Sequence, residues 1–166
     1  MTLFLDADAE ATIEAEARTR RLVETGGPLF GFISDDDEAV VARAYGPGPK
    51  AKHRPRSYVP DSQETQRLID SHYDNDGLSY LGEWHTHPQG QATPSGRDAN
   101  FLSNLAEDAA AGTPEPVALI LATRIFHFRV QAEELGAFQL HSAGRIERLE
   151  ISVVAPADME QALDIG

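Results

Sequence analysis

One stretch of the sequence, residues 85–98, limits the fold and chemistry of this chain more than any other. It reads His-Thr-His-Pro-Gln-Gly-Gln-Ala-Thr-Pro-Ser-Gly-Arg-Asp. On a strand, His85 and His87 leave the same face because side chains alternate, and Pro88 turns the chain away because it cannot donate a ladder hydrogen bond. With the carboxylate of Asp98, the two imidazoles predict a three-ligand site with an open fourth position, which is typical of a catalytic zinc.

The same residues also fit ordinary structural roles. Paired histidines on one strand face occur at surface and partly buried positions that bind no metal. Ser95, three residues before Asp98, opens a segment with an apolar stripe, so the pair makes a capping box that satisfies backbone amides at a helix start. The two interpretations are compatible, because a capped helix start leaves one oxygen of Asp98 to face a metal.

Composition sets limits on the class of protein. The 166 residues, 41% of them hydrophobic, predict one domain over residues 1–166 with its core at about 10–155. No apolar run is long enough for a membrane span, and the acidic N-terminus differs from a signal peptide, so we expect a cytoplasmic protein without a membrane partner. Cysteine is absent, so any metal ligand must be His, Asp or Glu. The formal net charge of -13 argues against a nucleic-acid partner.

The spacing of apolar residues predicts an α/β fold, a sandwich around a mixed sheet. Helices are expected at 9–24, ending before a Gly-Gly pair, after Asp61 as an N-cap, and at 95–110. The second helix carries an apolar stripe of Leu68, Ile69, His72 and Tyr73. Strands are expected at 28–33, 39–45, 78–87, 117–122 and 125–130, and more weakly at 138–140 and 146–154.

A carboxylate outside the three-ligand set is also needed for zinc hydrolysis of an amide, since a base must accept the proton of water. Glu24 is the candidate with the most structured context, at the expected end of the first helix and directly before Thr-Gly-Gly-Pro-Leu-Phe-Gly. Its structural interpretation is a solvated glutamate at a helix C-terminus, where the macrodipole slightly disfavours it. Glu83 is the alternative base.

These residues together resemble the signature of the JAMM, or MPN-plus, zinc metalloproteases. That signature is an upstream Glu, then His-Ser/Thr-His-Pro, six residues, and Ser-x-x-Asp, and here it is formed by Glu24, His85-Thr86-His87-Pro88 and Ser95-Gly96-Arg97-Asp98. The flanking Gly-Glu-Trp before His85 looks like the stand-alone prokaryotic branch. The resemblance covers about residues 10–130 and implies a JAMM/MPN (cytidine-deaminase-like) fold, a mixed curved β-sheet flanked by helices.

The resemblance implies a role for each signature residue. His85, His87 and Asp98 would hold one Zn²⁺ per chain, with water in the fourth position. Glu24 would act as the general base and then protonate the leaving amine, and Ser95 would donate a hydrogen bond to the oxyanion. By strand alternation Trp84 should face away from His85, so it is expected in the core, with substrate contact as the alternative. The four histidines outside the signature are interpreted as structural or surface residues: His53, His72, His127 and His141.

The implied function is a zinc-dependent isopeptidase or peptidase that cleaves at the C-terminal tail of a ubiquitin-like protein, by deconjugation or precursor maturation. Members of this branch often lie in operons with ubiquitin-activating-like and ubiquitin-conjugating-like enzymes, including antiphage systems, which are the implied partners. The alternatives are amino-acid release from a sulfur-carrier protein and a catalytically silent scaffold. The basic, proline-rich segment 46–60 is interpreted as a long loop, either simply solvated or in contact with substrate.

Overall fold

Three helices and nine strands make up the part of the chain that the computed structural model describes, residues 1–156, 158 and 159. The helices are α1 (Ala7–Thr19), α2 (Ser62–Asn75) and α3 (Gly96–Glu107). The strands are β1 (Thr2–Asp6), β2 (Gly26–Ile33), β3 (Ala39–Ala44), β4 (Lys52–Arg54), β5 (Ser57–Val59), β6 (Ser79–Pro88), β7 (Val117–Phe126), β8 (Arg129–Leu140) and β9 (Ile146–Val154). None of the described helices combines the length and the apolar character that crossing a bilayer requires.

Seven strands form one mixed sheet in the order β1-β3-β2-β6-β7-β8-β9. The sheet curls until its first and last strands pair in parallel, with Leu3 beside Ile151, so both of its ends are hydrogen-bonded. β1–β3 and β6–β7 are also parallel, and the other pairs are antiparallel. The expected mixed, curved sheet flanked by helices is confirmed.

The inside of the curl is filled by α1. One apolar cluster takes buried residues from α1 and from all seven strands of the sheet, including Ile13, Leu5, Trp84 and Leu119. The face of α1 that enters this cluster carries Ala9, Ile13 and Ala17, four residues apart, which places them on one side of a helix. Each fully buried large aliphatic side chain contributes about 1.5–3 kcal/mol relative to an exposed one. The core therefore holds β6 and β7 in fixed register beneath the candidate site.

The outer face of the sheet is covered by the other two helices. Leu68 of α2 packs with Phe30 and Tyr80, and Leu102 of α3 packs with Ala118 and Leu140. Asp61 caps α2 as predicted, with its side chain accepting from the amides of Gln63 and Glu64. The predicted apolar stripe of α2 is only partly right, since Leu68 and His72 are buried but Tyr73 is exposed.

Several predicted boundaries are wrong. The helix expected at 9–24 ends at Thr19, where the Thr19 hydroxyl bonds to the Glu16 carbonyl, a bond that competes with the helical ladder. The third helix ends at Glu107 rather than at residue 110. The strands predicted at 117–122 and 125–130 are not two strands with a break between them. β7 runs unbroken to Phe126, and the chain reverses at His127 and Phe128, which both have positive φ.

The segment 46–60, expected to be a loop, contains a short hairpin. β4 and β5 pair antiparallel, with His53 opposite Tyr58. The hairpin is tied to the chain ahead of β2, since the Glu24 amide donates to the Arg54 carbonyl at 2.8 Å. The sequence pattern missed it because each strand has only three residues and proline flanks both.

Candidate metal centre

β6 supplies two of the three predicted metal ligands. Side chains alternate along this strand, so His85 and His87 share one face while Trp84 and Thr86 turn to the other. Trp84 is fully buried, as expected, and its indole N–H donates to the Tyr45 carbonyl at 2.8 Å. Parallel pairing with β7 sets His85 beside Ile120. Both imidazoles therefore project from a central strand that is hydrogen-bonded to β2 on one side and to β7 on the other.

The third predicted ligand, Asp98, lies in the first turn of α3. Ser95 is the N-cap of this helix: its Oγ accepts from the Asp98 amide at 3.4 Å, and its own amide donates to Asp98 Oδ2 at 2.5 Å. This is the capping box that the sequence indicated. It fixes the carboxylate at the start of the helix, with both oxygens facing the histidines of β6.

The structure brings the three side chains to one point. His85 Nε2 lies 3.0 Å from His87 Nε2 and 3.1 Å from Asp98 Oδ1, and His87 Nε2 lies 3.4 Å from Asp98 Oδ2. The side chains are largely buried, with 11–15% of their surface exposed. Three mutually close atoms with free electron pairs are positioned to bind a metal ion.

The charge state of the group suits a cation. Burial alone would raise the pKa of Asp98, but hydrogen bonds from His85 and His87 hold it far below its usual range, so the carboxylate is ionised at neutral pH. His87 Nδ1 lies 2.9 Å from the Gln91 carbonyl, which makes Nδ1 a donor, so Nε2 is the nitrogen that can release its proton and bind a metal ion. Burial lowers the pKa of His87, but the hydrogen bonds to Asp98 and to the Gln91 carbonyl and the charges of Asp98 and Glu24 together raise that pKa overall.

Glu24 lies beside this cluster but outside a helix, contrary to the prediction. It follows the end of α1 and precedes β2, in which Gly26 pairs with His85. The Glu24 carbonyl accepts from His53 Nδ1 at 2.9 Å, so its backbone is held from two directions by the β4–β5 hairpin. Burial raises the pKa of the Glu24 carboxyl, and the nearby His85 and His87 partly offset this. His53, interpreted from the sequence as structural or surface, thus supports a residue of the candidate site.

A cavity of about 100 Å³ opens onto the same residues. Glu24, Ser95 and Asp98 are among the residues that line it. The lining also includes residues outside the signature, among them Tyr58, Glu83, Phe101, Leu102 and Ala118. A substrate whose scissile bond lies at the three ligands would therefore also contact this cavity.

Glu83 is a second buried carboxyl in the lining of this cavity, beside Glu24. It belongs to the same face of β6 as His85, two residues earlier. A bulge at Gly82, which has φ of +139°, shifts the alternation so that Tyr80 also comes to this face, and its hydroxyl donates to Glu83 Oε1 at 2.9 Å. Burial raises the pKa of Glu83 to about 8, although the Tyr80 hydrogen bond lowers it. The sequence indicated Glu83 only as an alternative base.

Comparison with known proteins agrees with this geometry. A protein from Sinorhizobium fredii named "Probable metalloprotease y4qB" is 36% identical over 115 residues, covering 68% of this chain and 70% of that protein. A "CD-NTase/cGAS isopeptidase" from Enterobacter hormaechei is 28% identical over 127 residues, covering 72% of this chain and 67% of that protein.

The fold has a counterpart among solved structures. The solution structure of protein DSY2949 from Desulfitobacterium hafniense superimposes with a TM-score of 0.66 at 21% identity, covering 92% of this chain and 93% of the other.

The family model described as prokaryotic homologs of the JAB domain matches residues 6–138, which contain Glu24, His85, His87, Ser95 and Asp98. The chain therefore belongs to the prokaryotic JAB family.

Proposed function

We propose that this member of the JAB family is a zinc-dependent isopeptidase or peptidase that cleaves at the C-terminal tail of a ubiquitin-like protein. The observation that carries the proposal is the convergence of His85, His87 and Asp98 beside a buried glutamate and a cavity. The names of the two relatives, a metalloprotease and an isopeptidase, support the same class of reaction.

The donor set fits zinc better than the hard cations. Two imidazole nitrogens and one carboxylate oxygen are ligands that zinc takes, whereas Ca²⁺ and Mg²⁺ prefer oxygen alone. Ligand atoms bound at about 2.0–2.2 Å in a tetrahedron lie about 3.3–3.6 Å apart. The two Nε2 atoms are 3.0 Å apart, and they lie 3.1 and 3.4 Å from Asp98 Oδ1 and Oδ2, so the separations are within that range or a few tenths of an ångström shorter.

Zinc held here would supply Lewis acidity, which lowers the pKa of water and polarises a carbonyl. Glu24 accepts a proton from water while the water oxygen attacks the carbon of the scissile carbonyl group. Glu24 then delivers that proton to the amine nitrogen as the carbon–nitrogen bond breaks. A base with a pKa raised by burial suits this double task near neutral pH.

Ser95 can act in catalysis while it caps α3. As an N-cap its Oγ accepts a hydrogen bond from the Asp98 amide, so the hydroxyl hydrogen is not used by the cap. Ser95 also lines the cavity next to the cluster. Its O–H donates to the oxygen of the scissile carbonyl as negative charge develops there, which is the role of an oxyanion-hole donor.

A protein substrate with an extended tail, rather than a free small molecule, is supported by the name of the Enterobacter relative, which is an isopeptidase. The silent scaffold is disfavoured, since a protein that only binds has no need of a complete ligand set beside a buried carboxyl. Release of an amino acid from a sulfur-carrier protein uses the same chemistry on a shorter leaving group, and no feature of the cavity favours it.

Two reporter substrates test the proposal and separate the two jobs. One is a ubiquitin-like protein fused through its C-terminus to a reporter by a peptide bond, and the other is the same protein joined to a lysine side chain. We expect purified protein loaded with zinc to cleave at least one of them at the modifier's C-terminus, and Glu24→Gln to cleave neither. Failure of the zinc-loaded protein on a panel of bacterial ubiquitin-like proteins in both linkages would contradict the proposal.

A further inference from the structure

The main chain around Glu24 is held from two sides. Glu24 lies between the end of α1 and the start of β2. The next residue, Thr25, is bonded to β6: its amide donates to Thr86 Oγ1 at 3.0 Å, and its carbonyl accepts from the Thr86 amide at 2.8 Å. Because the polar groups of successive residues point in opposite directions along an extended chain, those of Glu24 point away from β6.

The β4–β5 hairpin binds both of these main-chain groups of Glu24. The Glu24 amide donates to the Arg54 carbonyl at 2.8 Å, and the Glu24 carbonyl accepts from His53 Nδ1 at 2.9 Å. In a regular antiparallel pair, both bonds would come from the main chain of one facing residue. Here a side chain supplies the second bond. A carbonyl oxygen can only accept, so His53 carries a hydrogen on Nδ1.

The ring of His53 is itself held in place. His53 lies opposite Tyr58 in the hairpin, and the centroids of the two rings are 5.8 Å apart. Tyr58 in turn lies against Gly26, where a Cβ would be only 2.8 Å from Tyr58 Cε1. The hairpin therefore contacts the main chain on both sides of Thr25, at Glu24 and at Gly26.

The anchoring of this segment matters because of what the Glu24 carboxyl is proposed to do. A base must lie within hydrogen-bond reach of the proton that it accepts. A displacement of about 1 Å can cost about a hundredfold in rate. Without the bond from His53, the hairpin would hold Glu24 through its amide alone, and the peptide group between Glu24 and Thr25 would be free to tilt.

We propose that His53 is a positioning residue, which holds Glu24 in its reactive position through the hydrogen bond from Nδ1 to the Glu24 carbonyl. The role rests on the proposed function, since it assigns Glu24 as the base. Among the described residues, His53 is not part of the cavity lining, so it acts through Glu24 and not through contact with substrate.

Three substitutions separate the hydrogen bond from the bulk of the ring. His53→Leu keeps apolar bulk against Tyr58 without a donor, His53→Ala removes both, and His53→Asn keeps an N–H near the place of Nδ1. On the reporter that the zinc-loaded full-length protein cleaves, kcat should fall about 10–100-fold in the leucine and alanine variants, with KM changed less than about twofold. His53→Asn should restore kcat to within about threefold of wild type. Zinc content should be unchanged in all three.

Hydrogen exchange at the Glu24 amide, followed by NMR, tests the anchoring without requiring cleavage. This exchange should be at least about tenfold faster in His53→Leu than in wild type, because local opening frees the amide from Arg54, and near the wild-type rate in His53→Asn. The amide of Ile120, in the central strand β7, corrects for any change in global stability. His141→Ala is the matched control, since its ring lies by Glu115 and Glu147, and it should change neither kcat nor this exchange.

The outcomes distinguish this role from the proposed function. Wild-type kcat in His53→Leu and His53→Ala would overturn the positioning role while the activity stands. Equal losses of kcat in His53→Leu and His53→Asn would also overturn it, because ring packing rather than the hydrogen bond would then matter. If the zinc-loaded wild type cleaves no reporter, the proposed function fails, and exchange at Glu24 alone decides the anchoring: an unchanged rate in His53→Leu overturns it, and a faster rate supports it.

Discussion

Replacing Ser95 with alanine separates the capping role that the structure shows for this hydroxyl from the oxyanion role that we propose for it. As the N-cap of α3, the Ser95 hydroxyl accepts from the Asp98 amide. As the proposed oxyanion donor, the same hydroxyl contacts substrate only during reaction. The first role predicts a loss of stability and the second a loss of turnover, and the two are measured independently.

The expected stability loss is small. Removing an N-cap side chain costs about 0.5–2 kcal/mol, and the cap bond here is long, at 3.4 Å. Asp98 keeps its 2.5 Å hydrogen bond from the Ser95 amide, which alanine also supplies. We therefore expect a loss of about 0.5–1 kcal/mol, or a decrease in Tm of about 1–4 °C for a domain of this size.

The expected loss of turnover is much larger. One oxyanion donor contributes about 3 kcal/mol to lowering the barrier, so kcat should fall about a hundredfold or more while KM changes little. Asp6→Ala is the control, because Asp6 caps α1 on the opposite side of the sheet: it should lower Tm without changing the turnover of folded protein. A decrease in Tm for Ser95→Ala with unchanged kcat would refute the oxyanion role and leave Ser95 as a cap.

Three further changes have defined outcomes. Glu24→Gln should keep the metal and the Tm but lose nearly all turnover, and wild-type rates would assign the base to another carboxyl. Gly82→Ala should lower unfolding free energy in urea by about 3 kcal/mol or more, since a Cβ would lie 2.0 Å from the Val117 carbonyl oxygen and φ is +139°. The backbone hydrogen bond from Lys50 holds the pKa of Asp61 below its ordinary 3.8, so the stability advantage of wild type over Asp61→Asn should be present at pH 7 and decline below about pH 4.

The signature region was predictable because its information is local. Alternation along one strand places His85 and His87 on the same face, and a three-residue spacing sets the capping box of Ser95 and Asp98. These rules involve neighbours in sequence only. Their convergence within 3.0–3.4 Å could not be derived from the pattern, because it depends on how α3 packs against the sheet.

Features that depend on distant partners were missed. β1 is a strand because it pairs on both sides, with β3 and with β9, and no periodic pattern in five residues reveals that. Glu24 was predicted for the site, but not that the helix ends at Thr19 and that Arg54 and His53 then hold the Glu24 backbone. The contact between Tyr80 and Glu83 follows from the bulge at Gly82, which a sequence pattern does not register.

The most direct test of the account is the metal content of purified protein, measured together with cleavage of a ubiquitin-like reporter. We expect about one zinc per chain in the wild type, and almost none in the His85→Ala/His87→Ala double variant, with turnover lost in the same proportion. His141→Ala, which changes a histidine outside the cluster, should keep both metal and turnover. Full zinc occupancy in the double variant would place the metal elsewhere and contradict the account.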